Sequence, residues 1–132
     1  MYKEIIIIIV ILVIILSLNY ITQNYTKYCV SEISSELNNL REKINNQIDT
    51  EEIPEELNNS INSIHNKWDE MYKKLAYYIE HDELEKVETC LTNVRSNIET
   101  EELEYSIENL DNCIFILEHI QDKEKLSLAN IF

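Results

Sequence analysis

The chain has 132 residues, with 25 acidic against 11 basic side chains and a formal net charge of −14. Such an acidic surface repels nucleic acid, so we expect no nucleic-acid partner. Glycine is absent and proline occurs once, which removes the residues that β-hairpin turns need and favours long helices. The composition therefore predicts an all-α protein with room for one small domain.

An almost unbroken run of Ile, Leu and Val occupies residues 5–18. As a helix, the stretch from Ile5 to Ile21 covers roughly 25 Å, which is short but sufficient for a bilayer core. We predict an uncleaved single-pass anchor over residues 1–22. The alternative is a removed signal peptide, but Ser17-Leu18-Asn19 is a poor cleavage site. Amphipathic side chains suited to the headgroup region flank the run: Tyr2, Lys3, Tyr20, Tyr25, Lys27 and Tyr28.

The orientation of this anchor follows from its position in the chain. Only Tyr2, Lys3 and Glu4 separate the initiator methionine from the apolar run. The simplest insertion leaves the N-terminus in the cytoplasm and sends the remainder across the cell membrane. We therefore expect a single-pass membrane protein whose bundle is extracytoplasmic.

The membrane helix is expected to continue directly into solvent, because neither Gly nor Pro interrupts it before Pro54. Helix one should run to about Ile48, and Thr50 is predicted to cap helix two, with Pro54 in or near its first turn. Apolar residues recur along the solvent half at spacings of three and four, a narrow seam typical of coiled coils and bundles: Val30, Ile33, Leu37, Leu40 and Ile44.

Three further helices are predicted from the same periodicity. Helix two is expected to end near Glu80 and His81, after which Asp82 caps helix three, and Thr100 caps helix four. The inner face of helix two comprises Leu57, Ile61, Ile64, Trp68 and Leu75, with Met71 or Tyr72 and Tyr78 or Ile79. The inner faces of helices three and four comprise Leu84, Val87, Leu91, Val94 and Ile98, and Leu103, Ile107, Leu110, Ile114 and Leu117.

Short links between these helices imply antiparallel neighbours. The expected fold is an N-terminal transmembrane helix that continues into an antiparallel, up-and-down four-helix bundle. We divide the chain into a membrane anchor at 1–22, an acidic helical bundle at 23–121 and an apolar C-terminal tail at 122–132.

The alternating helix directions distribute charge between two poles. The far pole holds the links between helices one and two and between helices three and four, which are rich in acids that also suit helix starts. The near pole, next to the membrane, is expected to face lipid or a membrane partner, although solvated lysines and a tail packed under the bundle are the alternative. Its predicted membrane-facing or partner-facing residues are Tyr25, Lys27, Tyr28, Lys73, Lys74, Tyr77, Tyr78, Leu126, Leu128, Ile131 and Phe132.

Few residues suggest chemistry. His65 and Asp69 lie four apart on helix two, and a second group at the near pole comprises His81, Glu83, Glu118 and His119. A metal site needs three or four such ligands to converge, so we expect no metal or other cofactor here. A histidine at a helix end more often interacts with carbonyls or with the helix dipole. Neither a phosphate-binding glycine loop nor a nucleophile with a base is recognisable, and we expect no enzymatic activity.

The three cysteines, Cys29, Cys90 and Cys113, have no metal-ligand spacing and suggest no disulfide framework. Cys90 and Cys113 fall on neighbouring helices, at predicted levels about one turn apart. We interpret all three as small buried apolar residues.

The anchor, Trp68, the segment His81-Asp82-Glu83-Leu84, the turn Glu118-His119-Ile120 and the ending Leu126-Ser127-Leu128-Ala129-Asn130-Ile131-Phe132 resemble one family over nearly the full length. It comprises small membrane-anchored helical proteins of unknown function from Gram-positive, spore-forming bacteria. The resemblance implies no catalytic residue. It implies that Trp68, His81, Glu83, His119 and the tail belong to a common, structural design, and that a multi-pass membrane protein is a partner.

We favour a non-enzymatic, single-pass accessory or adaptor protein whose bundle and tail engage a membrane partner. Membrane lipid is the other expected contact, and a homo-oligomer is a further alternative. One alternative is an extracytoplasmic helical sensor of a small ligand or cation. A second is a metal-dependent enzyme at the near pole, which the lack of a converging ligand set disfavours.

Overall fold

The computed structural model describes residues 1–50, 52 and 54–131, with side chains described through Lys125. It contains four α-helices: α1 at Tyr2–Asn45, α2 at Glu55–Leu75, α3 at His81–Glu99 and α4 at Leu103–Ile131. Within the described ranges the chain is all-α, as the composition predicted. The helices pack in a closed ring, α1 against α2, α2 against α3, α3 against α4 and α4 against α1. The predicted bundle is thereby confirmed.

The α1 helix belongs to two environments. Its first half is the apolar run, and its second half lies in the bundle. No turn separates the halves, because residues 2–45 contain neither Gly nor Pro to break the helix. The predicted seam is confirmed, since each of its residues is buried: Val30, Ile33, Leu37, Leu40 and Ile44, together with Thr26 and Cys29.

The cores of α2 and α3 also follow their predicted stripes. Of the two pairs of neighbours, Met71 on α2 and Ile79 in the link after it are buried, while Tyr72 and Tyr78 are half-buried. Trp68 is 1% exposed, and its ring forms a T-shaped pair with the ring of Tyr72 at a centroid distance of 6.3 Å. All five predicted α3 residues are buried. These helices thus bury the stripes that their periodicity indicated.

The inner face of α4 differs from the prediction. Ile107 and Ile114 are only partly buried, whereas Ser106 and Cys113 are fully buried. The Ser106 hydroxyl donates to the Leu103 carbonyl oxygen at 2.6 Å, which satisfies it without solvent. The small side chains of Ser106 and Cys113 let α4 approach its neighbours closely. The larger Ile107 and Ile114 lie at the edge of the helix interface.

The helix boundaries correct several predicted caps. α1 ends at Asn45 rather than Ile48, and α2 ends at Leu75, several residues before the predicted end. Thr50 does not cap α2: its hydroxyl donates to the Gln47 carbonyl at 2.8 Å, and Pro54 is the N-cap instead. Proline's fixed φ suits this junction, because the chain must turn from extended to helical there.

The α3 helix begins earlier than predicted, with Glu80 as its N-cap and Asp82 inside its first turn. Asp82 still suits this position, because an acidic side chain there complements the helix dipole.

The link between α3 and α4 is a Schellman motif rather than a threonine-capped start. Thr100 is the C-cap of α3, and Glu101 has a left-handed φ of 63°. The Glu101 N–H donates to the Ile98 carbonyl at 3.2 Å, and the Glu102 N–H donates to the Asn97 carbonyl at 2.8 Å. These bonds satisfy the final carbonyls of α3. Glycine normally occupies the left-handed position, so this chain pays a conformational penalty there.

Replacing Glu101 by glycine should therefore stabilise the bundle by about 1 kcal/mol, since glycine adopts a positive φ without a Cβ clash. The measurement is the free energy of unfolding of the full-length protein in detergent micelles. The matched control, Glu99→Gly, lies in the last turn of α3 and should destabilise it by about 0.5–1 kcal/mol. Equal destabilisation by both substitutions would contradict the assignment of Glu101.

Candidate functional sites: the near pole and the groove between α2 and α3

The first half of α1 is an exposed apolar helix. From Ile5 to Leu16 every residue is a large aliphatic, and all of them are exposed. By length and composition this helix is able to cross a membrane, although a signal sequence has the same properties. A run of exposed aliphatic side chains of this length requires an apolar environment.

The link after α2 and the C-terminal part of α4 meet α1 just after this apolar segment. The Tyr78 hydroxyl lies 2.9 Å from the Thr26 hydroxyl and donates to the Thr22 carbonyl at 3.1 Å. On the opposite side, Gln23 Nε2 donates to the Glu124 carbonyl at 3.4 Å. The near pole is therefore a structural end of the bundle, where the apolar helix emerges from it.

Several predicted near-pole residues come together there. Lys74 Nζ lies 5.6 Å from the centroid of the Tyr25 ring, and the rings of Tyr25 and Tyr28 are 6.3 Å apart. Tyr25 is half-buried, and its burial raises the pKa of the phenol. Tyr28 remains exposed, and Tyr77 is 90% exposed. Aromatic and basic side chains around an emerging apolar helix are typical of residues at a membrane interface.

The remaining predicted interface residues behave differently. Lys27 is exposed, whereas Lys73 points into the groove between α2 and α3 and pairs with Glu70 at 3.0 Å. Lys73 is therefore separated from the Tyr25 cluster. Leu126, Leu128 and Ile131 lie where side chains are not described, and Phe132 is outside the described residues.

The motif residues connect α2, α3 and α4. His81 Nδ1 lies 2.6 Å from the Tyr72 hydroxyl, and its Nε2 lies 2.8 Å from Glu85 Oε1. Glu83 is buried against Lys86, at 3.1 Å, and Lys123, at 3.6 Å, while His119 is exposed. In the described part of the chain, His81, Glu83, Glu118 and His119 do not form a converging ligand group.

The hydrogen bond from Lys86, assisted by the charge of Lys123, holds the pKa of Glu83 below its ordinary value of 4.5. The folded state therefore favours the carboxylate, and its stabilisation is present above pH 4.5 and lost as the pH falls through the lower, folded pKa. Glu83→Gln removes the charge that pairs with Lys86 and Lys123 and should reduce the free energy of unfolding at neutral pH. The expected loss is only about 1 kcal/mol, because solvent screens both partly exposed lysines. The difference from the wild type should shrink below pH 4.5.

Denaturant unfolding of the full-length protein across this pH range is the measurement for Glu83. Glu80→Gln is the matched control, since Glu80 also pairs with Lys123 but is 74% exposed. Its expected effect is within about 0.5 kcal/mol at every pH. If Glu83→Gln and Glu80→Gln have equal effects, the buried carboxylate contributes nothing specific.

The groove between α2 and α3 contains a cluster that the sequence showed only in part. His65 and Asp69 come from successive turns of α2, and Glu88 joins them from α3. One ligand atom from each residue lies within 4.8 Å of the others. The groove has a volume of about 610 Å³ and is lined by Asn66, Asp69, Glu70, Tyr72, Lys73, Glu85 and Glu88. The four-residue spacing in α2 was visible, but Glu88 required the register of α3 against α2.

The three cysteines are free and buried, as predicted. The prediction that Cys90 and Cys113 lie one helical turn apart in level is wrong. The two residues are nearly equally far along their helices from the α3–α4 link, so they lie at the same level. The neighbouring Cys113 thiol lowers the pKa of Cys90, and the interaction with Cys90 together with burial raises the pKa of Cys113. Asn112 Nδ2 donates to Cys90 Sγ at 3.3 Å. Cys90 therefore has a polar partner at the edge of the core.

Fold and site together define a small all-α protein with an exposed apolar N-terminal helix and a four-helix bundle. Residues 20–131 match the family described as domain of unknown function (DUF4363). The chain belongs to this family. No curated protein and no solved structure matches it.

Proposed function

We propose that this protein is a non-enzymatic, single-pass membrane accessory or adaptor protein whose near pole and C-terminal tail engage a larger membrane protein. The observation that carries the proposal is the extension of α4 beyond the bundle. The Glu124 carbonyl lies level with Gln23, and α4 continues from there to Ile131. At 1.5 Å per residue this adds about 10 Å of helix directed toward the apolar segment of α1.

The composition of this extension supports a partner at the membrane surface. Its sequence, Leu126-Ser127-Leu128-Ala129-Asn130-Ile131-Phe132, carries no charge. This apolar segment follows the near pole of a strongly acidic bundle, and its side chains are more stable against an apolar surface than in solvent. A membrane protein offers such a surface at the same depth as the lipid interface.

The continuity of α1 supports an uncleaved anchor. Cleavage near Asn19 would cut one helix directly before Thr22 and Gln23, which contact Tyr78 in the link after α2 and Glu124 on α4. We further propose that the N-terminus is cytoplasmic and the bundle extracytoplasmic, since Lys3 flanks the apolar run on its N-terminal side. An origin in Gram-positive, spore-forming bacteria remains a prediction from the resemblance.

The test is crosslinking from the tail in intact cells. A photoreactive amino acid replaces Phe132 in the full-length protein, and we expect it to capture one discrete membrane protein. Deleting residues 126–132 should remove the same protein from a mild-detergent purification. The control position is Tyr105, which is 62% exposed at the opposite end of α4 and should capture nothing comparable.

Three outcomes would overturn the proposal. Capture of this chain alone would indicate a tail packed under its own bundle or a homo-oligomer, and capture of lipid alone would indicate interfacial insertion. Equal capture of one protein from positions 132 and 105 would mean that the tail is not the contact.

A further inference from the structure

The cluster of His65, Asp69 and Glu88 is held by packed helices rather than by loops. His65 lies between the buried Ile64 and Trp68 on α2, and Glu88 follows the buried Val87 on α3. His65 Nε2 is 2.5 Å from Glu88 Oε1, and Asp69 stands one turn further along α2. The backbones that carry these three side chains are therefore fixed by the core.

The imidazole of His65 is incompletely satisfied. The residue is only 7% exposed, and its Nδ1 has no hydrogen-bond partner in the part of the chain that the structure describes. A buried ring nitrogen without a partner is uncommon and calls for a physical reason. Nε2 is the nitrogen that faces Glu88, so it is the ring atom that would bind an ion in the groove.

Asp69 adds a negative charge that forms no ion pair with a lysine among the residues that the structure describes. Lys73, the next residue on this face of α2, pairs with Glu70 instead, at 3.0 Å. With Glu88, Asp69 gives the cluster two carboxylates around one imidazole. Two negative charges close together are stabilised by a dication, which neutralises both.

From this geometry we propose that His65, Asp69 and Glu88 bind a divalent transition-metal ion in the groove between α2 and α3. One imidazole nitrogen with two carboxylate oxygens suits Zn²⁺ and Mn²⁺. Mg²⁺ and Ca²⁺ prefer oxygen ligands alone and should bind less tightly. This site is independent of the tail and goes beyond the proposed adaptor function.

The cluster requires a small rearrangement to admit an ion. Metal–ligand bonds of about 2.0–2.2 Å place ligand atoms roughly 3–4 Å apart around a common centre. The three ligand atoms already lie within 4.8 Å of one another, and only the hydrogen bond between His65 and Glu88 must open. Glu88 is 37% exposed in its side chain, so a change of rotamer toward the groove is sterically open to it.

The coordination sphere would remain incomplete on the groove side. Three protein ligands leave at least one position, and the groove of about 610 Å³ provides room for water or for a small anionic ligand there. The site is therefore accessible to ions from solvent, and its occupancy should respond to the external metal concentration.

Isothermal titration calorimetry tests the proposal. Zn²⁺, Mn²⁺, Mg²⁺ or Ca²⁺ is titrated into the full-length protein in detergent micelles after treatment with a chelator and removal of the chelator. We expect one equivalent of Zn²⁺ or Mn²⁺ to bind and to raise the melting temperature, since an ion bound only to the folded state stabilises it. Asp69→Asn should lower the affinity for the metal by about a hundredfold. Loss of a residue that only hydrogen-bonds a metal ligand already costs roughly ten- to hundredfold, and Asp69 is a proposed ligand itself. Asp69 is exposed, so this variant should fold normally.

His65→Gln and Glu88→Gln should weaken binding to the same degree as Asp69→Asn. The matched control is His119→Gln with Glu118→Gln, which removes an exposed imidazole and an exposed carboxylate on α4, outside the groove, and should leave affinity unchanged. The proposal is overturned if neither metal binds saturably, if Mg²⁺ and Ca²⁺ bind as tightly, or if the control weakens binding as much as Asp69→Asn.

Discussion

Replacing Ile11 and Leu12 by arginine is expected to release the full-length protein from the membrane fraction during alkaline carbonate extraction. The aliphatic run contributes about −5 kcal/mol to insertion, at a few tenths of a kcal/mol per residue. Each central arginine costs about 3 kcal/mol and also removes a favourable side chain, so the pair shifts insertion by roughly 6–8 kcal/mol. The sign of the insertion free energy therefore changes.

The matched control for the anchor lies in the same helix. Asn38 and Asn39 are adjacent, exposed residues in the bundle half of α1, and arginines there should leave the protein in the membrane. The exchange Ile11→Leu with Leu12→Ile should also have no effect, since both side chains insert equally well. If the double arginine variant resists carbonate extraction, the apolar run is not what holds the protein at the membrane.

The intact mass of the purified wild type separates an anchor from a signal sequence. An uncleaved anchor keeps the residues before Ile5, whereas a removed signal would leave a chain that starts near Tyr20. We expect the full-length mass. A shorter product would mean that the bundle folds with α1 truncated directly before its contacts with Tyr78 and Glu124.

Periodicity predicted most of the fold because long apolar side chains determine which helix faces are buried. The stripes from Val30 to Ile44 and from Leu84 to Ile98 needed no further information. On α4 the same rule favoured Ile107 and Ile114 over Ser106 and Cys113, because it selects large apolar side chains. It does not consider that small side chains are buried where two helices approach closely. That choice depends on the neighbouring helices.

The helix ends could not be predicted from residue types alone. Thr50 and Thr100 look like N-caps, yet each lies at the end of the preceding segment. The decisive feature after α3 is the left-handed Glu101, which glycine would have signalled. Threonine and glutamate are compatible with either end of a helix, so the link geometry decides.

The candidate metal cluster shows the same limit. The spacing of His65 and Asp69 places both on one side of α2, as the sequence indicated. Glu88 joins them only through the register between α2 and α3, which is set by core packing rather than by local pattern. Conversely, the prediction places His81, Glu83 and His119 near one another. In the described residues His81 hydrogen-bonds Tyr72, Glu83 accepts from Lys86, and His119 is exposed to solvent.

Trp68→Ala is expected to destabilise the bundle by about 3–5 kcal/mol, a large share of the 5–15 kcal/mol typical of small domains. Trp68 is among the largest fully buried side chains, and its ring packs against that of Tyr72, which lines the groove. Its removal leaves a cavity that the surrounding rigid helices cannot fill. The melting temperature of the full-length protein, followed by far-ultraviolet circular dichroism, should fall by at least roughly 10 °C.

Two further substitutions separate burial from aromatic character. Trp68→Phe keeps most of the apolar volume and removes an indole N–H that has no acceptor among the described residues, so its cost should be less than half that of alanine. Phe115→Ala removes an aromatic ring that is 67% exposed on α4, and its effect should stay within about 0.5 kcal/mol. If Phe115→Ala costs as much as Trp68→Ala, the exposed face of α4 is buried in the native protein, and the bundle as described is part of a larger assembly.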